Sequence, residues 1–459
     1  MREISKTQTR PDLLNDPILP TLKVITIPMI FGMIALMMFN IVDTFFISLL
    51  GTVPLAAVSF TFPVTFTVIS LAIGLGIGTS AVIAKALGSN KIDEARFDAS
   101  VSLFIAIFLV LILSFIGYLC IEPIFILLGA GDAVLPLIHE YMNVWFFGSV
   151  FLITPMIGNS VLRASGDTKT PSIVMGGAGL INAILDPILI FGFGPIPALG
   201  IQGAAIASVI AWTVAVIIIL YLLIFEKRLL SLKVGKQTVT SAIRKILKIG
   251  LPAAGANMLT PIAMAIMTAL VAQHGAQAVA AFGVGSKIES IASIVVLALS
   301  MTLPPFISQN FGAGKLCRVK EAYIGTLKFV MIWQFIVYVV LIILSGVISH
   351  LFGKEQAVID VIKLFIYTIP LSYGLQGVII LSNSSFNALH KPMNALFLSV
   401  VRLFVFYLPF AYLGNEMLGL KGLFIGAALG NLFTAMVAYQ WFIKELDILS
   451  NQSLKECSN

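Results

Sequence analysis

Long runs of apolar residues, separated by short polar stretches, make up most of this chain. A helix that spans a bilayer needs about 20 mostly apolar residues. Measured against that length, the runs predict about twelve spans and no sizeable soluble domain. The predicted spans cover residues 21–48, 53–87, 94–120, 133–163, 170–195, 200–225, 245–273, 276–311, 318–348, 356–388, 392–414 and 419–444.

The composition agrees with this pattern and indicates an all-α integral membrane protein. Hydrophobic residues make up 59% of the chain and charged residues only 11%, whereas soluble domains carry roughly 25% charged residues. A net charge of +7 would suit a nucleic-acid-binding protein, but membrane proteins collect Lys and Arg in their cytoplasmic loops. We therefore expect the lipid bilayer as a partner and no nucleic acid. From the polar residues at the N-terminus we expect no cleavable signal peptide.

The basic residues predict the orientation of the chain in the membrane. All but five of the 28 lysines and arginines fall on one side of the predicted spans. Lys354, Lys363 and Lys421 fall on the other side, and Lys287 and Arg402 lie inside spans. We therefore expect a multi-pass protein of the cell (inner, cytoplasmic) membrane with both termini in the cytoplasm.

The two halves of the chain resemble each other at an offset of 224 residues. The matching segments are IPMI (27–30) with LPAA (251–254), GTVPLAA (51–57) with GAQAVAA (275–281), and ALGSNK (86–91) with NFGAGK (310–315). Because six spans is an even number, both copies insert the same way up and form a parallel repeat. The pattern predicts two pseudo-symmetric six-helix bundles around a central cleft: an N-lobe (1–226), a basic cytoplasmic linker (227–248) and a C-lobe (249–459). This arrangement favours transport by alternating access over a purely structural role.

Two acidic residues lie inside predicted spans of the N-lobe. Ionisable residues are costly in hydrocarbon, so each is a functional hypothesis. Asp43 in span 1 and Asp186 in span 5 both fall in the outer half of the bundle. Asn40 precedes Asp43 by three residues and Asn182 precedes Asp186 by four, so each amide shares a helix face with its acid. The group can share a proton or bind Na+ at Asp43, Asn182 and Asp186; the alternative for Asp43 is an acid at a helix end that reaches the surface.

Two prolines fall inside the same spans. Proline has no backbone N–H, so Pro28 frees the carbonyl of Val24 and Pro187 frees that of Ala183. We interpret Pro28 and Pro187 as conformational hinges. The free carbonyl of Ala183 would supply a further oxygen ligand at the acidic site. The alternative is that both prolines are packing kinks without a role in coupling.

The C-lobe carries different charges. Lys287 and Glu289 lie in span 8 and Arg402 in span 11. A Glu289–Arg402 pair between helices is expected, with a structural role as plausible as a substrate role. The repeat counterparts of Asp43 and Asp186 are Met267 and roughly Leu408, so the acidic pair is confined to the N-lobe.

The remaining motifs exclude several functions. GLGIG (74–78) lies in a span without the Lys-Ser/Thr of a nucleotide loop, and its small residues are expected to allow close helix packing. The four histidines and three cysteines have no metal or disulfide spacing. No nucleophile has a base partner. We therefore expect no enzymatic activity, no cofactor and no structural metal.

With these residues in view, the chain resembles the multidrug and toxic compound extrusion (MATE) family over nearly its whole length. The resemblance rests on IPMI, on ALGSNKIDEA with its counterpart QNFGAGK, on LRASGDTKTP and on GIQGAAIAS. NIVDTFF and NAILDPILI look like the DinF-like branch, in which the resemblance places a cation site on Asp43, Asn182 and Asp186. Tyr141 of span 4 and Ser208 of span 6 would join them, with Ala204 as the alternative to Ser208. The acids that the NorM-like branch carries in spans 7 and 10 are absent here.

The resemblance implies a monomeric exporter of cationic amphipathic drugs, driven by inward flux of H+ or Na+. A flippase for lipid-linked saccharides, from the same fold superfamily, is the alternative. Such flippases usually carry more spans or a basic groove, which this chain lacks. A passive channel is the third possibility.

Overall fold

The computed structural model describes residues 11–231, 238–353 and 355–456, and helices account for nearly all of them. The first half contains α1 (Ile18–Ser48), α2 (Thr52–Gly88), α3 (Ile92–Leu119), α4 (Ile121–Leu127), α5 (Leu135–Ala164), α6 (Lys169–Phe191) and α7 (Gly200–Tyr221), which a π-helix extends over Leu222–Glu226. The second half contains α8 (Val239–Ala272), α9 (Ala276–Ala292), α10 (Ile294–Gly312), α11 (Leu316–Phe352), α12 (Gln356–Thr368), a 3-10 turn (Pro370–Ser372), α13 (Tyr373–Ala388), α14 (Pro392–Val401), a π-helix (Arg402–Tyr407) and α15 (Leu408–Glu456). The all-α membrane fold predicted from the sequence is thus confirmed.

Within the described residues, 11 helical stretches are long and apolar enough to cross a membrane. The last of them, 392–451, is 60 residues long, about 90 Å at 1.5 Å per residue and far longer than the bilayer core. The backbone leaves the helical region at Leu418 and at Gly419, whose φ of 60° is one that glycine adopts at little cost.

This last stretch folds back on itself at Leu418 and Gly419. Gly422 packs against the backbone of Gly414, and Gly426 against that of Phe410. Residues further beyond the turn therefore contact residues that lie earlier in the chain before it, as in an antiparallel helical hairpin. The stretch holds two spans, so the part of the chain that the structure describes contains the twelve spans predicted.

The predicted eighth span is interrupted once. Helix α9 ends at Ala292 and α10 begins at Ile294. Hydrogen bonding continues across the break, because Ser293 N–H donates to the carbonyl of Glu289 and Leu297 N–H to that of Ser293, each at 2.9 Å. The two helices therefore form one interrupted span. The short helix α4 was not predicted.

The predicted linker 227–248 differs from the structure in its second part. Helix α8 already begins at Val239, and Ala242 and Ile246 are fully buried in the core of the first half of the chain. Their apolar side chains, four residues apart, place residues 239–248 in a packed helix. Residues 232–237 of the linker, Lys354 and the predicted cytoplasmic N-terminus up to Arg10 lie outside the described residues.

The chain forms two compact units. The first contains Val24–Ala254, and the second contains Leu13–Lys23 together with the chain from Gly255 onward. In the second unit, side chains bind the carbonyls that precede α1: Asn310 Nδ2 donates to Leu13 O at 3.0 Å, and Arg318 Nη2 to Asp16 O at 2.8 Å. The division into lobes at 226 and 249 remains a prediction.

Small residues bring α2 and α8 together in the first unit. Gly74 lies against the backbone of Gly250 and Ala254, and Gly78 lies against the backbone of Ile246 and Gly250. A side chain at either glycine would meet this backbone directly. The structure thus supports the interpretation of GLGIG as a packing motif.

Candidate functional site

Helices α1 and α6 run side by side in a constant register within the first unit. Thr168 Oγ1, at the start of α6, donates to the carbonyl of Ile25 at 2.6 Å. One turn further along, Ser172 Oγ contacts Met29 Sδ at 3.7 Å. Both pairs are separated by 143 residues in the chain. Because both helices have the same rise per residue and run in the same direction, pairs with this separation lie at equal depth.

Asp43 and Asp186 have the same separation, and their carboxyl groups lie within hydrogen-bonding reach of each other. Asp186 is fully buried and Asp43 is partly buried. Two carboxyl groups can form such a hydrogen bond only when one of them carries a proton. The register of α1 and α6 therefore assembles a pair that can hold a proton between two helices.

Asn182 connects this pair to α7. Its Nδ2 donates to Asp186 Oδ1 at 3.2 Å and to Ser208 Oγ at 3.3 Å. The contact selects Ser208 rather than Ala204 as the polar residue of α7 at the site. Ala204 instead belongs to an apolar cluster with Ile47 and Ile190.

That apolar cluster forms one wall of the site. Ile47 follows Asp43 by four residues, Ile190 follows Asp186 by four, and Ala204 precedes Ser208 by four. All three lie one helical turn from a polar residue of the site, on one side of it, because α7 runs opposite to α1 and α6. They are almost fully buried. This wall shields that side of the carboxyl pair from water.

One oxygen of each carboxyl group is buried without a hydrogen-bond donor in the described part of the chain. Asp43 Oδ1 and Asp186 Oδ2 are buried and accept no hydrogen bond from any residue that the structure describes. Buried acceptors of this kind are costly, and a proton or a cation would satisfy them. Among the described residues, no group of three or more His, Cys, Asp or Glu is placed to hold a metal ion, so a cation here would also draw on the amide and hydroxyl oxygens of Asn182 and Ser208.

The other predicted site residues of the first unit differ in how close they lie to the carboxyl pair. Tyr141 on α5 lies close enough to both acids to interact with them electrostatically. Asn40 is exposed, and its carbonyl accepts from Thr44 Oγ1 at 2.8 Å, so nothing places its side chain on the carboxyl pair. Pro187 directly follows Asp186 inside α6. Helix α1 continues through Pro28 from Ile18 to Ser48, so the hinge at Pro28 remains a prediction.

The charged residues of the second unit form a cluster that the sequence only partly indicated. Glu289 accepts from Gln376 Nε2 at 2.9 Å, and it lies within electrostatic range of Arg402. No ion pair within 4.0 Å joins Glu289 to Arg402, although both are described residues. The predicted pair is thus present as neighbours and not as a salt bridge. Lys287 is exposed on α9.

Arg402 stacks on an aromatic ring that the sequence did not indicate. Its guanidinium carbon lies 5.7 Å from the ring centroid of Tyr407, five residues later. Residues five apart do not share a face in an α-helix, but residues 402–407 form a π-helix. Helical periodicity therefore offered no signal for this contact, nor for Gln376 and Tyr373 near Glu289.

Comparisons with known proteins agree with the fold and the repeat. The MatE family model matches residues 28–188 and 252–413, two stretches whose starts lie 224 residues apart. The chain is 41% identical to the FAD transporter of Shewanella oneidensis over 94% of this chain and 95% of that protein. It is 25% identical to the multidrug export protein MepA of Staphylococcus aureus over 92% of this chain and 93% of that protein.

Solved structures show the same relationship. The MATE transporter VcmN of Vibrio cholerae, in its bent form, matches with a TM-score of 0.90 and 34% identity over 93% of this chain and 97% of that one. A MATE structure in the straight conformation also matches with a TM-score of 0.90, at 26% identity over 97% of this chain and 100% of that one. With its fold, its repeat and its full-length relatives in agreement, the chain belongs to the MatE family of membrane transporters and is not an enzyme.

Proposed function

We propose that this protein is a secondary active transporter that exports a flavin dinucleotide in exchange for an inward-moving H+ or Na+. The observation that carries the coupling is the contact between Asp43 and Asp186, in which Asp43 Oδ1 and Asp186 Oδ2 are buried without a hydrogen-bond donor among the described residues. Two carboxylates this close repel each other when both are ionised. Binding of a proton or a sodium ion removes this repulsion. The free energy of the site therefore differs between its cation-bound and cation-free forms.

The proposed cycle uses that difference. Without the cation, the two carboxylates repel and favour the outward-facing state. A proton or sodium ion from outside neutralises the pair, α1 changes shape, and substrate is released. A ligand shifts a conformational equilibrium only through different affinities for the two states, and α1 supplies such a difference because it carries Asp43 directly.

The substrate assignment is supported by the 41% identical relative, which is named an FAD transporter. Relatives at 25–30% identity are named multidrug proteins, and they support a second candidate function, the export of cationic amphipathic compounds. A buried acidic pair suits a cationic substrate as well as a coupling ion.

Transport by the purified protein in liposomes distinguishes these possibilities. Uptake of FAD, riboflavin and ethidium into vesicles would be measured under a pH gradient and, separately, under a sodium gradient. We expect gradient-driven FAD uptake, with the effective gradient identifying the coupling ion. Uptake of ethidium but not FAD would favour the second candidate, and FAD flux that neither gradient drives would refute the proposed coupling.

A further inference from the structure

A second polar cluster lies within the second unit, at mid-span. Glu289 comes from α9, Tyr373 and Gln376 come from α13, and Arg402 and Tyr407 come from the π-helix that follows α14. Gln376 donates to Glu289, Arg402 stacks on Tyr407, and Tyr373 lies within electrostatic range of both Glu289 and Tyr407. Three helices thus bring one cation, one anion, two phenols and an amide to one place.

Two hydrogen-bond donors of this cluster, the Arg402 guanidinium and the Tyr373 hydroxyl, have no acceptor among the described residues. The Arg402 guanidinium lies over the Tyr407 ring, and no hydrogen bond or ion pair joins it to another described residue. The Glu289 carboxylate, which lies nearby, is held by Gln376. The Tyr373 hydroxyl belongs to a residue that is only 2% exposed, and it has no hydrogen-bond partner. A buried donor without an acceptor, such as this hydroxyl, is costly, and together with the nearby guanidinium it makes the cluster suited to a bound anion.

The π-helix explains how Arg402 is held without being neutralised. The segment closes a wide turn, with the N–H of Leu408 donating to the carbonyl of Leu403. Such segments are rare and frequently occur at functional sites. Here the wide turn places the guanidinium carbon of Arg402 over the Tyr407 ring, 5.7 Å from its centroid. The N–H groups at the edge of the guanidinium then stay available for an anion, which a salt bridge to Glu289 would have prevented.

The charges inside the spans also differ between the two units. The first unit presents Asp43 and Asp186, which repel an anion. The cluster of the second unit presents Arg402 beside Glu289, so it offers a cation that the acidic site of the first unit lacks. A dinucleotide carries its negative charge on a pyrophosphate, and an arginine binds such oxygens with two parallel hydrogen bonds.

We propose that Arg402, supported by Tyr407 and joined by the Tyr373 hydroxyl, forms the subsite that binds the pyrophosphate group of the transported dinucleotide. This inference rests on the proposed function for its substrate, but the anion site itself can be tested without transport. The same donors would fit the phosphate of a lipid headgroup, so the experiment separates these two sources.

The transport test compares Arg402→Gln, Arg402→Lys and the parent in vesicles of neutral phosphatidylcholine, with FAD and with riboflavin, which has no phosphate. A charged, two-pronged hydrogen bond corresponds to about a 10- to 100-fold effect, so we expect the KM for FAD to rise by about that factor in Arg402→Gln. Arg402→Lys keeps the positive charge but cannot form two parallel hydrogen bonds, so its KM for FAD should lie between those of the parent and Arg402→Gln. Riboflavin uptake should be the same in all three proteins.

The matched control is Lys421→Gln, which removes an exposed charge. This variant should take up FAD and riboflavin as the parent does.

The binding test uses inorganic pyrophosphate and calorimetry on the purified proteins in neutral lipid. We expect binding by the parent and by Lys421→Gln, and a loss of affinity in Arg402→Gln. An unchanged FAD KM in Arg402→Gln, an equal loss of FAD and riboflavin uptake, or an effect that occurs only in vesicles containing anionic lipid would overturn the proposal. If the parent binds pyrophosphate through Arg402 but does not transport FAD, the anion site stands and the proposed function fails.

Discussion

Asp43 and Asp186 are brought together by the parallel register of α1 and α6, the same register that pairs Ile25 with Thr168 and Met29 with Ser172. All three pairs have a separation of 143 residues. The acidic contact is therefore a property of the whole helix pair. A change that shifts α1 along α6 or away from it will change the distance between the two carboxyl groups.

Replacing Asp43 by asparagine should abolish gradient-driven transport. The amide cannot be ionised, so the site loses one of its two carboxylates and with it the repulsion that a cation relieves. Asp132→Asn, an exposed acid on the loop before α5, is the control. The measurement is substrate uptake into liposomes under pH and sodium gradients. Normal gradient-driven uptake in Asp43→Asn would show that the coupling site lies elsewhere.

Ser208→Ala should weaken binding of the coupling ion by about 2- to 10-fold, the equivalent of one neutral hydrogen bond. The hydroxyl is the acceptor for Asn182 at 3.3 Å, and its loss leaves the amide of Asn182 less well oriented toward Asp186. The dependence of uptake on ion concentration gives the affinity. Ser59→Ala, where the exposed hydroxyl bonds only its own helix, should behave like the parent, and an equal loss in both variants would contradict a role for Ser208.

Thr168→Val should both destabilise the protein and impair coupling. The substitution preserves side-chain volume but removes the donor to the Ile25 carbonyl, and we expect a loss of about 0.5–1.5 kcal/mol. Thermal unfolding in detergent measures the first effect and gradient-driven uptake the second. A lowered unfolding temperature with unchanged gradient-driven uptake would indicate that the register of α1 and α6 does not depend on this hydrogen bond.

Pro28→Ala tests whether α1 bends. Alanine restores the N–H that can bond the Val24 carbonyl, which stiffens the helix at this point. If the transport cycle requires a bend at Pro28, the turnover rate should fall while ion binding at Asp43 and Asp186 is retained. Equal turnover in the parent and the variant would exclude the proline hinge.

Gly74→Ala should destabilise the first unit by about 1–3 kcal/mol, because the added methyl group meets the backbone of Gly250. The control is Gly283→Ala, at a helical position with no atom near the added methyl group. Removing a glycine from an open helix position is expected to be neutral or slightly stabilising. The two unfolding temperatures should therefore change in opposite directions or by clearly different amounts, and equal changes would contradict the packing role.

Much of the candidate site was predictable from sequence. Asp43 and Asp186 are conspicuous because carboxylates are rare in apolar runs, and Asn182 follows from its spacing to Asp186. The assignment of Ser208 over Ala204 needed the structure, because these residues are one turn apart on the same face and periodicity cannot separate them. Asn40 shares a helix face with Asp43 by spacing, yet it is exposed, because a shared face does not specify which neighbouring helix a side chain meets.

The sequence by itself determined that the chain crosses a membrane about twelve times, that its halves are duplicated, and that Asp43 and Asp186 lie in one half and Arg402 in the other. These properties depend on composition and on distance along the chain, which a linear pattern records. Only the tertiary structure decided the register of α1 and α6, the hairpin at Leu418 and Gly419, and the π-helix that stacks Arg402 on Tyr407. These features arise from the packing of residues that are distant in sequence, or from a local departure from the α-helical period. Hydrophobic periodicity records neither the packing nor the departure.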